Sequence, residues 1–224
     1  MKLGNVRDYS TNLNQTRARE CKSLVYWGIS LPCTVGVKLS PTELDNIKLA
    51  NFIKSVMVGM LLSDGYILFS TKIKKKGSLG LTPFLAHSGY LYFVFNLLAH
   101  YCPISPVLII RSRLDISSSS LYICTRSMAC ITELYHAYYA NKIKVIKACI
   151  YNYLTPIPLA HLIKVEGTFN GITLLFCTEL YSIVYVVRLI NVLMIKYIIH
   201  CTIRYFKNRH PRIDVFKKDM VKNF

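Results

Sequence analysis

Acidic residues are scarce in this chain of 224 residues, which carries 11 Asp and Glu against 28 Lys and Arg. The resulting formal net charge of +17 indicates a polyanionic partner, either nucleic acid or an anionic membrane surface. A protein from a genome that favours basic residues would show the same balance, so charge alone leaves the partner open. The length allows one large domain or two small halves, and it is sufficient to bury a hydrophobic core.

A long uncharged segment able to span a membrane is also missing, although 53% of the residues are hydrophobic and the mean hydropathy is +0.35. No charged side chain lies between Lys76 and Arg111, but the most apolar part of that window, residues 90–99, has only about half the length needed to span a bilayer. Residues 172–199 are interrupted by Arg188, which is costly inside a membrane. We therefore expect no membrane partner, with a small detergent-dependent membrane protein as an alternative.

Closely spaced cysteine pairs are absent, since none of the eight cysteines forms a CxxC pair and no His lies at zinc-finger spacing from two of them. This spacing disfavours structural zinc and favours buried free thiols in a reducing compartment. The N-terminus lacks the apolar core of a secretory signal. Arg7, Arg17 and Arg19 among Ser and Thr hint at a transit peptide, although Asp8 and Glu20 weaken that hint.

The chain does contain an internal repeat. In each half, an apolar helix is predicted to end in an acid and a glycine, and then a strand pair, a second helix and another strand pair follow. The first helix covers residues 52–62 and precedes Asp64, whereas the second begins after Thr155 and precedes Glu166. The two acids are 102 residues apart (166 minus 64).

The remaining elements follow the same pattern. Ser40 with Pro41 and Glu43 predicts a helix start with a capping box, and Thr155 with Pro156 predicts another. Strands are predicted over residues 66–71, 106–110, 121–125, 172–177, 202–206 and 213–216, and further helices over residues 90–99, 131–140 and 182–197. The serine run at 117–120 is predicted to be a turn between two of these strands.

The paired acids have a chemical logic if the two apolar helices pack side by side. Asp64 and Glu166 would then meet at one end, where each carboxylate faces the negative end of a helix dipole and the two repel each other. A divalent cation offsets both costs, and oxygen ligands suit Mg²⁺. Two ordinary helix-end acids before C-cap glycines are the alternative, which repetition in matching places disfavours.

Residues 57–65 read MVGMLLSDG and residues 154–167 read LTPIPLAHLIKVEG. These segments resemble the first and second motifs of the two-repeat LAGLIDADG homing endonuclease family, in the form used by intron-encoded members of fungal mitochondria. The resemblance covers most of residues 20–216. It implies a site-specific double-stranded DNA endonuclease of a mobile intron, mitochondrial in location and dependent on Mg²⁺.

The resemblance also implies the architecture, an α+β fold of two pseudo-symmetric αββαββα repeats whose antiparallel sheets form a saddle over DNA. We expect an N-terminal arm at residues 1–40, a first repeat at 41–150 and a second, C-terminally shortened repeat at 151–224. Gly59 and Ala160 would permit close approach of the motif helices. The protein would be a monomer with an internal pseudo-two-fold axis.

The resemblance assigns Asp64 and Glu166 as catalytic residues that hold Mg²⁺, and Lys144 as a catalytic lysine near the scissile phosphate. Basic residues beside the predicted strands would bind nucleic acid, with phosphate contacts for affinity and strand side chains at base edges for sequence choice. These predicted contacts are Lys72, Lys74, Lys75, Lys76, Arg126, Arg204, Lys207, Arg209 and Arg212. His161 is predicted to pack at the helix interface.

The chain departs from the family pattern in several places. Val165 stands where the second motif has Gly, Glu166 stands where it usually has Asp, and Lys147 replaces a Pro after the catalytic lysine segment. Pro83 would interrupt a strand expected over residues 81–87. These departures keep open a second hypothesis, a non-cutting protein on the same fold that binds structured RNA as an intron maturase or ribonucleoprotein component.

Overall fold

The computed structural model describes residues 34–69, 76–83, 85–113, 116–178, 181–206 and 210–216. The predicted N-terminal arm therefore lies mostly outside the described residues. The α-helices are α1 (Pro41–Asn46), α2 (Asn51–Leu62), α3 (Ser88–Leu98), α4 (Ala129–Tyr138), α5 (Ile150–Tyr153), α6 (Pro156–Glu166) and α7 (Ile183–Tyr197). The strands are β1 (Tyr66–Phe69), β2 (Gly77–Leu81), β3 (Val107–Arg113), β4 (Ile116–Cys124), β5 (Tyr139–Ala140), β6 (Ile143–Lys144), β7 (Gly167–Phe169), β8 (Thr173–Phe176), β9 (Cys201–Phe206) and β10 (His210–Phe216).

The order of these elements confirms the internal repeat. Helix α2, the strand pair β1–β2, helix α3 and the strand pair β3–β4 are followed later by α6, β7–β8, α7 and β9–β10. Strands β1 and β2 pair antiparallel, as do β3 and β4. The strands of the second repeat form one antiparallel sheet in the order β7-β8-β10-β9. This combination of helices and antiparallel sheets is the predicted α+β class.

The chain divides into two compact units. The described part of the first comprises residues 34–44 and 82–126, with α3 and the β3–β4 hairpin, and the second lies within residues 45–216 outside that insertion. The second unit contains both motif helices, because α2 of the first repeat packs against α6 of the second. The predicted boundary between the two sequence repeats, at residues 150 and 151, stays a prediction. The two compact units do not coincide with the two repeats.

The packing of α2 against α6 leaves no room for a side chain at Gly59. A Cβ atom there would lie 2.6 Å from Cβ of His161 and 2.9 Å from Cα of Pro158. Gly59 and His161 are 102 residues apart (161 minus 59), the same offset as the two acids, so matching positions of the repeat face each other. The prediction for Gly59 is confirmed. The prediction for Ala160 is wrong, because that residue is exposed and His161 and Pro158 take its place at the contact.

Most helix and strand predictions agree with the structure, and the differences have local causes. The run at 117–120 lies within β4, where Ser118 and Ser120 pair with Arg111 and Ile109 of β3, so it is not a turn. Serine occurs in turns and in strands. Here the backbone pairing with β3, and not the propensity of the side chain, places these serines in a strand. Strand β2 ends at Leu81, two residues before Pro83.

The two predicted helix starts behave differently. Ser40 and Glu43 form a reciprocal capping box, in which the Ser40 N–H donates to Oε2 of Glu43 at 2.7 Å and the Glu43 N–H donates to Oγ of Ser40 at 3.3 Å. Thr155 is the N-cap of α6 but its side chain makes no capping bond. The third helical position is Pro158, which lacks the N–H that a cap would accept.

None of the helices in the described ranges is long and apolar enough to cross a membrane.

We expect Gly59→Ala to destabilise the protein by roughly 1–3 kcal/mol, the usual cost of forcing extra atoms into a packed interface. Gly89→Ala is the matched control, because Gly89 lies in α3 and a Cβ there meets nothing within 4 Å. That control should stabilise the protein by roughly 0.4–1 kcal/mol through lower entropy of the unfolded chain. Urea unfolding of both variants measures the difference, and equal stabilities would contradict the close helix contact.

Candidate active site

The first acid lies just beyond the C-terminal end of α2. Asp64 is exposed, whereas the preceding Ser63 is buried and its hydroxyl donates to the carbonyls of Gly59 at 3.2 Å and Met60 at 3.1 Å. These bonds satisfy carbonyls that have no partner within the helix. The buried serine thus anchors the end of α2 and presents the next side chain to solvent.

The glycine after each acid is required by close approach to its own helix. A Cβ at Gly65 would lie 2.6 Å from the carbonyl oxygen of Met60, and one at Gly167 would lie 2.3 Å from that of Ile163. The glycines with positive φ among the described residues are others. Each glycine therefore follows its helix where the sequence predicted it. The reason is the lack of space for a Cβ atom, and not a left-handed backbone conformation.

Lys144 reaches this region from a short hairpin. Strands β5 and β6 pair Tyr139 with Lys144 and Ala140 with Ile143, leaving a loop of two residues. Both loop residues have positive φ, 50° at Asn141 and 66° at Lys142, as type I′ turns require. The tight turn fixes the register of β6 and hence the position of the lysine.

The ammonium group of Lys144 binds the backbone on both sides of Asp64. Its Nζ donates to the carbonyl of Ser63 and, at 2.8 Å, to that of Gly65. It also lies 5.9 Å from the ring centroid of Tyr181. Burial lowers the pKa of Lys144 to about 8, and the carboxylates of Asp64 and Glu166 partly oppose that shift.

The two acids of the repeat are thereby brought to one place. Glu166 is the last residue of α6 and is half-buried, and its charge acts on Lys144 as that of Asp64 does. The C-terminal ends of α2 and α6 therefore converge on one ammonium group. Asp64, Glu166 and Lys144 form the candidate active site, and all three lie in the second compact unit.

Two residues that the sequence did not single out support this site. The hydroxyl of Tyr181 donates to the carbonyls of Leu61 at 3.2 Å and Leu62 at 3.3 Å, and burial raises the pKa of that hydroxyl. The guanidinium of Arg188 donates to the carbonyl of Ile146, two residues beyond Lys144. Both side chains bind backbone carbonyls, which every residue has, so no sequence motif indicates that either residue supports the site.

The donor set suits a hard divalent cation. Both acids supply carboxylate oxygens, and Mg²⁺ commonly binds one or two carboxylates together with phosphate and water. In the part of the chain that the structure describes, no group of three or more His, Cys, Asp or Glu residues is placed to hold a metal. Asp64 and Glu166 are the residues at this site that could hold such an ion.

The predicted nucleic-acid contacts other than Arg126 fall into three groups. Lys72, Lys74, Lys75, Lys207 and Arg209 lie outside the described residues. Lys76 is half-buried and forms an ion pair with Asp45. Arg204 and Arg212 lie opposite each other on β9 and β10, and the Arg204 side chain is 56% exposed.

The prediction for Arg126 needs correction, because the residue is 7% exposed. Its guanidinium donates to the carbonyls of His100 and Val37, each at 3.0 Å, and to that of Thr34. These acceptors lie in the first compact unit, which the arginine ties together from within. Burial also lowers the pKa of Arg126, and its donors are engaged with the backbone and not presented to a phosphate.

Comparison with known proteins identifies a matching family and solved structures that are similar to this chain. The model of the LAGLIDADG DNA endonuclease family matches residues 54–223. The chain is similar to the homing endonuclease I-WcaI bound to its DNA recognition sequence, with a TM-score of 0.73 and 24% identity over 81% of this chain and 85% of that one. It is also similar to I-DmoI in complex with DNA and Ca, with a TM-score of 0.44 and 13% identity over 77% and 86% of the two chains. The I-WcaI similarity shows the fold.

We expect the ammonium of Lys144 to titrate near pH 8 in the folded protein, well below an ordinary lysine. In Asp64→Asn its pKa should fall further, because the lost carboxylate raised it. Side-chain NMR of labelled lysines across pH 6–11 measures both pKa values. The Lys144 signal is identified as the one that disappears in the Lys144→Arg variant. A titration near the ordinary lysine value in wild type would contradict the buried position.

Proposed function

Because this chain belongs to the LAGLIDADG DNA endonuclease family, whose model matches residues 54–223, we propose that it cleaves double-stranded DNA at a specific site by phosphodiester hydrolysis. The observation that carries the proposal is the convergence of Asp64 and Glu166 on Lys144. A protein that only bound RNA on this fold would need the basic surface but not this charged cluster.

The protein's own residues would hold the scissile phosphate and its charge. Two of the three N–H donors of Lys144 bind carbonyl oxygens, so its third donor would bind a phosphate oxygen. A pKa of about 8 leaves the lysine mostly protonated at neutral pH, as an electrostatic stabiliser of the transition state must be. Tyr181 and Ser63 would keep the end of α2 rigid, and Asp64 with it.

We propose Mg²⁺ as the cofactor, held by Asp64 and Glu166. When bound, the ion would activate water and stabilise the leaving oxygen. The cost of placing two carboxylates at the negative ends of two helices supports this assignment, because a cation offsets it. The scarcity of acids in the chain, 11 in 224 residues, makes their placement here more informative.

The biological setting follows from the motif resemblance alone. We propose a gene within a mobile intron, action in mitochondria and a monomer that contacts the two halves of its target through the two repeats. A monomer is sufficient for the proposed chemistry, because both acids and the lysine come from one chain.

We expect Asp64→Asn and Glu166→Gln each to lower cleavage of a randomised duplex library with Mg²⁺ on the order of 100-fold or more, the scale of losing one transition-state charge contact. Binding of the same DNA should persist, because the basic residues that would contact the phosphates are unchanged in both variants. Glu133→Gln is the matched control, since it neutralises an exposed acid of α4 and should cut at the wild-type rate. Removal of Mg²⁺ with EDTA should stop cleavage, and its return should restore it.

Three other outcomes would change the conclusion. Cleavage that persists in both acid variants would show that the site is assigned wrongly. Loss of cleavage in Glu133→Gln as well would indicate a folding defect instead of a chemical one. If wild type binds duplex poorly and does not cut it, but binds structured RNA with strong salt dependence, the non-cutting RNA-binding alternative would replace the endonuclease.

A further inference from the structure

A carboxylate and two guanidinium groups share one face of the sheet in the second repeat. Side chains alternate between the faces of a strand, and in β10 the apolar Ile213 and Val215 are buried on one of the two faces. Arg212 and Asp214 therefore point to the opposite face. Arg204 lies directly across from Arg212 on β9 and shares that face.

Asp214 is unusual because it is a charged residue buried at the centre of this face. Its side chain is 4% exposed, and its Oδ2 forms an ion pair with the guanidinium of Arg204, 2.6 Å from Nη2. Its other oxygen, Oδ1, is buried with no hydrogen-bond partner among the described residues. A half-satisfied buried carboxylate opposes folding, so stability alone does not explain its presence.

The register shows what the carboxylate does to its neighbours. Arg204 and Arg212 are direct cross-strand partners, and like charges in that arrangement repel each other. Asp214 lies two residues along β10 from Arg212, diagonal to Arg204, and faces Thr202 on β9. It contacts Arg204 through one terminal nitrogen of the guanidinium, while more than half of that side chain stays exposed.

We propose that Asp214 is a positioning residue that orients the guanidinium of Arg204 to read one guanine in the major groove of the DNA target. This inference rests on the proposed function and adds to it the base that is read and the residue that enforces the reading. A phosphate contact needs only a positive charge, whereas the O6 and N7 acceptors of guanine require a guanidinium in one plane. A buried carboxylate that holds one edge of Arg204 supplies that orientation before DNA arrives.

The experiment compares the base preference of three variants with that of wild type, by selection of bound duplexes and by cleavage of the selected site. Arg204→Lys keeps the charge but loses the planar fork, so the preference for guanine at one position should fall roughly tenfold or more, with an unchanged salt dependence of binding. Asp214→Asn keeps Arg204 and should relax the same position. Glu133→Gln is the control, because it also removes one acidic charge, at an exposed position of α4, and should leave the profile unchanged.

Each other outcome overturns the inference. If the base profile stays unchanged in both Arg204→Lys and Asp214→Asn while the thermal midpoint falls, the pair is only a structural ion pair. If Arg204→Lys keeps the affinity, the salt slope and the base profile of wild type, a positive charge is sufficient at this position and Arg204 is a phosphate contact. If Asp214→Asn does not fold, Asp214→Glu is measured in its place, because it keeps the charge but displaces the carboxylate by one methylene, and an unchanged guanine preference in that variant overturns the inference. If wild type neither binds nor cuts duplex DNA, the proposed function is wrong as well. A failure of this inference alone would leave binding and cleavage by wild type intact.

Discussion

The contact between Gly59 and His161 is the constraint on which the site depends. The missing Cβ at Gly59 lets α2 approach the backbone of Pro158 and the side chain of His161, so the two helices pack at the short range that only a small residue allows. Because helices are rigid, a short distance at this point limits the separation of their ends. The acid that follows each helix is therefore brought toward the same place, and a wider spacing would separate the carboxylates from their shared lysine.

Two helix C-terminal ends that lie close together concentrate negative charge, and several side chains of this protein compensate for it. The end of α2 presents carbonyls that have no partner within the helix, together with a partial negative charge, and the Asp64 carboxylate adds a full negative charge. Ser63 and Tyr181 donate to four of these carbonyls, and Lys144 brings the compensating positive charge. The cost of burying Lys144 appears in its lowered pKa. The same features that stabilise the folded ends thus produce a charged site suited to a phosphate and a cation.

The sequence predicted the parts of this arrangement that repeat and missed those that do not. The two acids, their glycines and the helix before each were predictable because they recur at one offset, and Lys144 came from its resemblance to a family segment. Tyr181 and Arg188 were not predictable, since each binds a backbone carbonyl far away in the chain. Arg126 was misassigned for a related reason: charge and strand position suggest a surface, and only the folded chain shows that carbonyls surround it.

The departures of the second motif can be understood from the different ends of the two helices. Helix α2 ends at Leu62, two residues before its acid, whereas α6 continues to Glu166 itself. The backbone therefore presents the two acids differently, and the extra methylene of Glu gives its carboxylate a longer reach from a residue still held in the helix. Val165 cannot make the carbonyl bonds that Ser63 makes at the matching position of α2. Without those bonds, α6 continues as far as its acid, whereas α2 ends two residues before its own. Glutamate is thus matched to the helix that carries it, and both carboxylates still act on Lys144.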